Sequence, residues 1–211
     1  MHCTVFYSWQ SDLPNSVNRG FIQDALERAA KAIRNDDSIE VEPVIDRDTQ
    51  NVPGSPDIGL TIFQKIEAAD IFACDVSLIN HGARNSNGEL SRLTPNPNVL
   101  VELGFAVHAL GWERVVLVMN TAYGTIENLP FDLRARRTLQ YKAVEGEDNR
   151  EEKKSLQSKF DSALRSILSH LEMPAPILLA PTVVEQAIKA IETGQTNAPA
   201  QVRRFMDWMV Q

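Results

Sequence analysis

The residue best suited to take part in a reaction is Glu102, a single carboxylate inside an otherwise apolar run over residues 99–107. Burying a lone carboxylate among such residues is costly unless a bound group or a reaction uses it. Because the run reads as the start of a helix, the helix dipole favours the ionised form near neutral pH. An ionised carboxylate in a cleft can stabilise an oxocarbenium ion or attack an anomeric carbon, which indicates glycosyl transfer. The alternative is a structural ion pair with a neighbour such as Arg114.

The residues just before this run are typical of a helix start. Asn96 or Asn98 can accept the first backbone N–H groups as the N-cap, and Pro97 suits the first helical position. The helix is predicted over residues 98–110. Both asparagines then stand at the mouth of the cleft that Glu102 faces, and both are candidate substrate-binding residues.

Strands and helices must alternate along the chain to position these groups. Short apolar or β-rich runs predict strands over residues 4–7, 39–45, 71–76, 114–119 and 138–141. Amphipathic or apolar stretches predict helices over about 21–33, 57–69 and 98–110. The expected fold is therefore α/β, a doubly wound, flavodoxin-like parallel sheet of about five strands with helices on both faces. Pro43 places the second strand at an edge or a bend.

In such a sheet, ligands bind beyond the carboxyl ends of the strands. Connectivity brings the following candidates there besides Glu102: Tyr7, Ser8, Trp9, Arg47, Asp75, Asn96 and Asn98. Trp9 could stack on a base or a nicotinamide ring, or it could cover the edge of the sheet. Tyr7 and Ser8 could hydrogen-bond a ribose, or they could pack as ordinary strand ends.

The two charged candidates also have open roles. Arg47 could meet a pyrophosphate, and the alternative is a salt bridge to one of the aspartates on either side of it. Asp75 could hold a ribose hydroxyl, and the alternative is a turn cap. His108 lies among apolar residues and is predicted to pack in the core and not to act as a base.

Composition argues against several function classes. A net charge of −7 over 211 residues argues against general binding of nucleic acid or of an anionic membrane, since both need a basic footprint. No apolar run approaches the roughly 20 residues of a membrane span, and we see no signal peptide. The motifs GxGxxG and GxxxxGK(S/T) are absent, which disfavours Rossmann dehydrogenases and P-loop NTPases. GxSxG, the nucleophile motif of α/β-hydrolases, is absent as well.

The two cysteines, Cys3 and Cys74, are too few for a disulfide framework, and both fall in predicted buried strands. They are expected to be free core thiols in a reducing cytoplasm. No cysteine and histidine cluster has the spacing of metal ligands, so a structural zinc site is not expected.

The alternation of strands and helices predicts an α/β domain over residues 1–145 and a helical extension or linker over 146–211. The extension opens with a charged run and continues as a long helix. Its apolar stripe consists of Leu156, Phe160, Leu164, Ile167, Leu168 and Leu171. After a proline-containing linker, two short amphipathic helices carry more apolar surface than they can bury alone. They are expected to dock on the α/β domain or to form a contact between chains, and a further domain could follow.

Three segments carry a resemblance to a known family: residues 5–11 (VFYSWQS), 75–77 (DVS) and above all 96–106 (NPNVLVELGFA). Over roughly residues 3–142, the chain resembles the bacterial TIR-like family, the branch described as predicted nucleotide-binding proteins and related to nucleoside 2-deoxyribosyltransferases. The resemblance implies a flavodoxin-like fold and cleavage of the N-glycosidic bond of NAD, which is then a substrate and not a cofactor. It also implies antiphage defence, in which NAD depletion halts the infected cell.

The family's catalytic glutamate corresponds to Glu102. In the deoxyribosyltransferase relatives, an acidic residue six positions earlier helps to hold the substrate, and that position here is Asn96, which counts against deoxyribosyl transfer. The leading hypothesis is an NAD glycohydrolase that is weakly active or silent until it assembles as a homo-oligomer or with a fused or associated sensor domain. The alternatives are a deoxyribosyltransferase-like enzyme and a non-catalytic nucleotide-sensing or TIR–TIR interaction module.

Overall fold

In the computed structural model, the described residues are 2–36, 42–47, 57–84, 86–89 and 91–172. Within them, five strands form one parallel sheet. The strands are β1 (His2–Ser8), β2 (Glu42–Asp46), β3 (Ile71–Asp75), β4 (Val115–Asn120) and β5 (Thr138–Tyr141). Their order is β2-β1-β3-β4-β5, which confirms the predicted doubly wound, flavodoxin-like sheet. β2 lies at the edge, which is one of the two alternatives, an edge or a bend, that Pro43 predicted. A proline fits there because it has no N–H to donate to a second neighbouring strand.

Helices follow the first four strands and close the described part of the chain. They are α1 (Arg19–Arg34), α2 (Ile58–Glu67), α3 (Pro97–Leu110), the short α4 (Phe131–Arg134) and α5 (Arg150–Glu172). The first three agree with the predicted helices to within about two residues at each end. Of the remaining predictions, residues 39–41 of the second strand and the two terminal helices lie outside the described residues. None of the described helices is both long and apolar enough to cross a membrane.

α2 and α3 pack against one face of the sheet. The core on that face joins Ile66 of α2 and Leu103 of α3 to Phe6, Phe72 and Cys74 of the central strands. Every second strand residue contributes, because side chains alternate between the two faces along a strand. This alternation also decides which side chains at the strand ends can reach α3.

α1 and α5 pack against the opposite face. The ring of Phe21 in α1 stacks on Tyr141 of β5, with 5.1 Å between the ring centroids. An ion pair of 2.9 Å between Lys153 of α5 and Asp24 of α1 links the two helices. The sheet is therefore covered on both faces, as buried parallel sheets require.

Residues 150–168 of the long helix α5 belong to the same compact unit as the sheet. Four of the six predicted stripe positions are buried: Leu156, Phe160, Leu164 and Leu168. The predicted domain boundary at residue 145 falls before this helix, whereas the unit that contains the sheet runs from Met1 to Leu168. The second unit, Ser169–Gln211, contributes only residues 169–172 to the described part of the chain.

Both cysteines are buried free thiols, as predicted. Burial is the main reason that the pKa of Cys3 rises to about 12 and that the pKa of Cys74 rises well above its ordinary value. Because the thiolate is the reactive form, neither cysteine is suited to act as a nucleophile near neutral pH.

The prediction that His108 packs in the core is wrong. Residues 101, 104 and 108 share one side of α3 because they are spaced by three and four positions, and all three are exposed. The opposite side of α3, which includes Leu103 and Ala106, is the buried one. An apolar composition around His108 therefore did not reveal which side of the helix faces the sheet.

Candidate functional site

A cavity of about 360 Å³ opens at the carboxyl end of β1 and is lined by the loop after this strand and by the N-terminal halves of α2 and α3. Its polar lining residues are Ser8, Gln10, Ser11, Asn96, Asn98 and Glu102. Its apolar and aromatic lining residues are Phe6, Tyr7, Trp9, Ile58 and Ile62. The structure thus brings together six of the eight candidates from the sequence. The two exceptions are Arg47 and Asp75.

Ser8 and Glu102 form the central contact of this cavity. The Ser8 hydroxyl donates a hydrogen bond of 2.6 Å to Oε2 of Glu102. Ser8 is the last residue of β1 and is only 2% exposed. Its side chain is directed to α3 because it lies on the same face of the sheet as Phe6, two residues earlier, and as its register partner Cys74. The strand end therefore fixes one oxygen of the carboxylate.

The carboxyl group of Glu102 is half-buried in the second turn of α3. Burial raises its pKa, and the hydrogen bond from Ser8 opposes that rise by stabilising the charged form. Within the described residues, Glu102 forms no ion pair, so the alternative of a pair with Arg114 is not observed. Arg114 directly precedes β4 and stands at the amino end of the sheet, whereas Glu102 stands at the carboxyl end.

Asn96 fixes the start of α3. Its side-chain oxygen accepts the backbone N–H groups of Asn98 and Val99, and Pro97 occupies the first helical position. Of the two predicted N-caps, Asn96 and Asn98, the structure therefore has Asn96. Its amide nitrogen donates a 2.7 Å hydrogen bond to Oδ2 of Asp12 in the loop after β1. The cap and this contact engage both ends of the Asn96 amide, so Asn96 ties the loop to α3 at the mouth of the cavity. Asn98 lines the cavity and is exposed.

Trp9 lines the cavity from the loop after β1 and is half-buried. The guanidinium carbon of Arg19 lies 3.6 Å from the centre of the indole ring, which is the geometry of a cation–π contact. Arg19 is the first residue of α1 and does not line the cavity as described. The pair therefore anchors the indole of a cavity-lining residue to α1.

The hydroxyl of Tyr7 is bonded to the backbone and is not placed to bind a ribose in the cavity. The side chain is fully buried, and its hydroxyl donates a 3.3 Å hydrogen bond to the backbone carbonyl of Arg19. Tyr7 follows Phe6 along β1, so its ring is directed to the face that α1 covers. The expectation that this hydroxyl binds a ribose is corrected to a packing role, which is the other alternative that the sequence left open.

Asp75 is held in a buried polar network outside the described lining of the cavity. Its carboxylate accepts hydrogen bonds from Gln10 and Asn18 at 3.0 and 3.1 Å and from the backbone N–H of Ser77 at 2.9 Å. Burial raises its pKa despite these bonds. The contact with Ser77 is the turn cap that the sequence left open as an alternative to ribose binding. Asp75 follows Cys74, the register partner of Ser8, so it points to the opposite face from Glu102.

Arg47 also stands apart from the described lining of the cavity. Its guanidinium donates a 2.8 Å hydrogen bond to the side-chain oxygen of Gln23 in α1. The carboxylate of Asp46 pairs with Lys65, at 2.8 Å, and accepts the backbone N–H of Arg47. Asp48, the aspartate on the other side of Arg47, lies outside the described residues. β2 lies beyond β1 at the sheet edge, and Gln23 draws Arg47 to the α1 face. The expected contact with a pyrophosphate at this cavity is therefore not supported by its position.

The sequence did not single out Gln10, Ser11, Ile58 or Ile62. Gln10 is 2% exposed, and it donates to Asp75 while its side-chain oxygen accepts the backbone N–H groups of Asp12 and Leu13 at 2.7 and 3.0 Å. It thereby fixes the loop that carries Trp9 and Ser11. Its place directly after the first strand was the available signal. The two isoleucines gave no such signal, because their helical spacing predicts only a core face.

Further cavities of about 480 and 610 Å³ lie elsewhere in the described part of the chain. In the first, Arg28 and Lys153 both pair with the same carboxylate of Asp24. The second is bordered by exposed loop residues such as His81 and Arg92. The cavity at Glu102 differs from both because it combines a half-buried carboxylate with a buried hydroxyl that binds it. Among the described residues, no cluster of three or more histidine, cysteine or acidic side chains is arranged to hold a metal.

The strand order and the helices on both faces define the protein as a flavodoxin-like, doubly wound α/β domain. No family model matches the chain, and no curated protein matches it. Among solved structures, it is similar to the flavodoxin-like domain of a Synechococcus protein, with 12% sequence identity and a TM-score of 0.37. That match covers 82% of this chain and 99% of the other.

Proposed function

We propose that the chain cleaves the N-glycosidic bond between nicotinamide and ribose in NAD, with Glu102 acting at C1′ of the ribose. One observation carries the proposal: a half-buried carboxylate, held by the Ser8 hydroxyl at 2.6 Å, lines a cavity that also contains an indole ring. A carboxylate placed in this way can stabilise an oxocarbenium ion or capture it as an ester. The resemblance to the TIR-like family supports the same reaction.

The ionisable groups of the cavity favour NAD over an ordinary nucleoside. Among the described residues that line it, only Glu102 and Tyr7 can ionise, and the Tyr7 hydroxyl is buried and bonded elsewhere. The base of a neutral nucleoside needs a proton to leave, which calls for a general acid. Nicotinamide in NAD is already a cationic pyridinium and leaves as a neutral molecule without a proton. One carboxylate is then sufficient for the bond cleavage.

In the proposed reaction, the bond between C1′ and the pyridinium nitrogen breaks, and its electron pair goes to nitrogen. Positive charge develops on the ribosyl carbon, and the carboxylate of Glu102 stabilises it. Ser8 holds Oε2, while Oε1 accepts no hydrogen bond within the described residues and is available to the ribose. Attack of water at C1′ and loss of its proton to solvent complete a hydrolysis to nicotinamide and ADP-ribose. Asn98 and Ser11 offer an amide and a hydroxyl at the cavity to bind the sugar.

The direct experiment is incubation of the purified chain with NAD, followed by chromatographic measurement of released nicotinamide. Time-dependent release by the native chain, with little release by a folded Glu102→Gln variant, is the expected result. Release that is equal in the two proteins would place the chemistry elsewhere. If neither concentrated native protein nor the variant released nicotinamide, the proposed reaction would be abandoned for this chain.

A second candidate, deoxyribosyl transfer between bases, is supported by the contact of Asn96 with Asp12. The sequence lacks an acid at position 96, but the amide of Asn96 holds the carboxylate of Asp12 2.7 Å away, at the mouth of the cavity. A carboxylate is therefore close to the place where the deoxyribosyltransferase relatives carry one. Incubation with a deoxyribonucleoside and a second free base tests this candidate, because transfer gives a new nucleoside that chromatography resolves.

We also propose that the chain acts in antiphage defence and that assembly controls it, since a constantly active NAD hydrolase would starve its own cell. The resemblance to the TIR-like family supports this role. The α5 stripe is largely buried within its own chain, so it offers little surface for assembly. Light scattering and nicotinamide release over a dilution series test the control. Activity per chain should rise with concentration, and a strictly monomeric chain of constant specific activity would rule it out.

A further inference from the structure

Ile58 is an exposed apolar residue at the rim of the cavity. It is 64% exposed, and it lines the cavity that contains Glu102. Single exposed apolar residues are common on protein surfaces and need no explanation. At the rim of a cavity, however, such a side chain offers an apolar surface that part of a ligand can cover.

The two helices that border the cavity contribute opposite kinds of side chain. α2 contributes only isoleucines, Ile58 and Ile62, whereas α3 and its cap contribute Asn96, Asn98 and Glu102. A ligand that reaches both helices must therefore have an apolar part and a polar part. A planar heterocyclic base joined to a sugar has this division, with the sugar at the carboxylate and the ring at the isoleucines. Trp9 from the loop after β1 supplies a further ring surface in the same cavity.

We infer that Ile58 is a specificity-determining residue that binds the planar base of a nucleotide through contact with the ring face. The inference rests on the proposed function, which places the sugar at Glu102. It adds that Ile58 is the apolar surface that contacts the base. It predicts that ligands with a base bind more tightly than the same sugar phosphate without one. It also predicts that this difference depends on Ile58.

Leu60 provides a matched control. It is 58% exposed, lies two positions further along the same helix and is not among the residues that line the cavity. Serine at either position replaces a similarly exposed apolar side chain, so any general effect on α2 is shared. Ile58→Val keeps most of the apolar contact and serves as the conservative variant.

The test measures binding of nicotinamide mononucleotide and of ribose 5-phosphate by calorimetry, in a Glu102→Gln background that prevents turnover. Nicotinamide mononucleotide should bind more tightly than ribose 5-phosphate. Ile58→Ser should weaken the binding of nicotinamide mononucleotide about five- to tenfold, which is the loss expected from much of one apolar side-chain contact. It should leave the affinity for ribose 5-phosphate unchanged. Ile58→Val and Leu60→Ser should each change the affinity for nicotinamide mononucleotide by no more than about twofold.

Three results would overturn the inference: equal binding of the two probes, equal effects of the serine variants at 58 and 60, or binding of neither probe. Failure of the proposed function has a different signature. In that case the native chain releases no nicotinamide from NAD, while the preference for the base and its dependence on Ile58 persist. In the catalytically intact chain, Ile58→Ser should raise the KM for NAD and leave kcat within about twofold.

Discussion

The hydroxyl of Ser8 donates a 2.6 Å hydrogen bond to Oε2 of Glu102 and so joins the end of β1 to the second turn of α3. The two residues are far apart in sequence, and the flavodoxin-like strand order brings them together at the carboxyl edge of the sheet. The bond favours the ionised carboxylate against the cost of burial. The position and the charge of Glu102 therefore both depend on a residue of another element.

Glu102→Gln should reduce NAD cleavage by at least about a hundredfold and leave the fold intact. The amide keeps the shape of the side chain but lacks the negative charge that stabilises the oxocarbenium-like transition state. Nicotinamide release gives the rate, and a thermal melt monitored by circular dichroism gives the fold. Unchanged cleavage by a folded variant would remove Glu102 from the catalytic role.

Ser8→Ala should move the acid limb of the pH profile for NAD cleavage to higher pH. Activity requires the ionised carboxylate, so it rises as pH rises through the pKa of Glu102. Burial already raises that pKa, and the variant removes the hydrogen bond that opposes the rise. Native and variant rates should therefore differ most at low pH and converge at high pH.

Ser11→Ala is the matched control for the position of the acid limb, because Ser11 lines the same cavity but donates no hydrogen bond to Glu102 in the described structure. It should leave the acid limb in place, since a loss of sugar binding lowers the rate at every pH alike. Ser8→Thr keeps a hydroxyl and should restore part of the native profile. An acid limb that stays in place in Ser8→Ala would show that the hydrogen bond does not govern the ionisation of Glu102.

The sheet and the cap of α3 could be predicted because they depend on local patterns. Short apolar runs separated by helical stretches predicted the parallel strands, Pro43 limited β2 to an edge or a bend, and Asn96 with Pro97 marked the start of α3. The rule that ligands bind beyond strand ends also placed Ser8 and Glu102 at one edge. These predictions require only periodicity, backbone chemistry and connectivity.

The faces of the sheet could not be predicted at the same level. The rule that ligands bind beyond the carboxyl ends of strands predicts both Ser8 and Asp75 as site residues. Ser8 is the register partner of Cys74, however, so Asp75, the next residue, faces α1 and not α3. The spacing of Ile58, Ile62 and Ile66 likewise predicts one core stripe, although burial decreases along it from Ile66 to Ile58. Such differences depend on strand register and on where a neighbouring helix ends, which are tertiary properties.

Trp9→Ala should weaken NAD binding by about 5- to 150-fold, since stacking of a base on an aromatic ring contributes about 1–3 kcal/mol. Its effect on the melting temperature should be small, because Trp9 is half-buried in a loop and its cation–π contact with Arg19 contributes only about 0.5–1 kcal/mol. Calorimetric titration with NAD in the Glu102→Gln background, together with thermal melts, separates the two effects. A large fall in melting temperature with unchanged affinity would identify Trp9 as a structural cover of the sheet edge.

Asp75→Ala should lower the free energy of unfolding by at least about 2 kcal/mol, measured by urea denaturation. The substitution leaves three buried donors, from Gln10, Asn18 and the Ser77 backbone, without their acceptor, and each such donor costs about 1–3 kcal/mol. Loss of the negative charge offsets part of this cost, because burial disfavours the ionised form of Asp75 and raises its pKa. Asp148→Ala is the control, since that aspartate pairs with Arg150 at the exposed surface and should contribute little. Equal stabilities of the two variants would show that the network around Asp75 does not hold the strand ends and the loop after β1 in place.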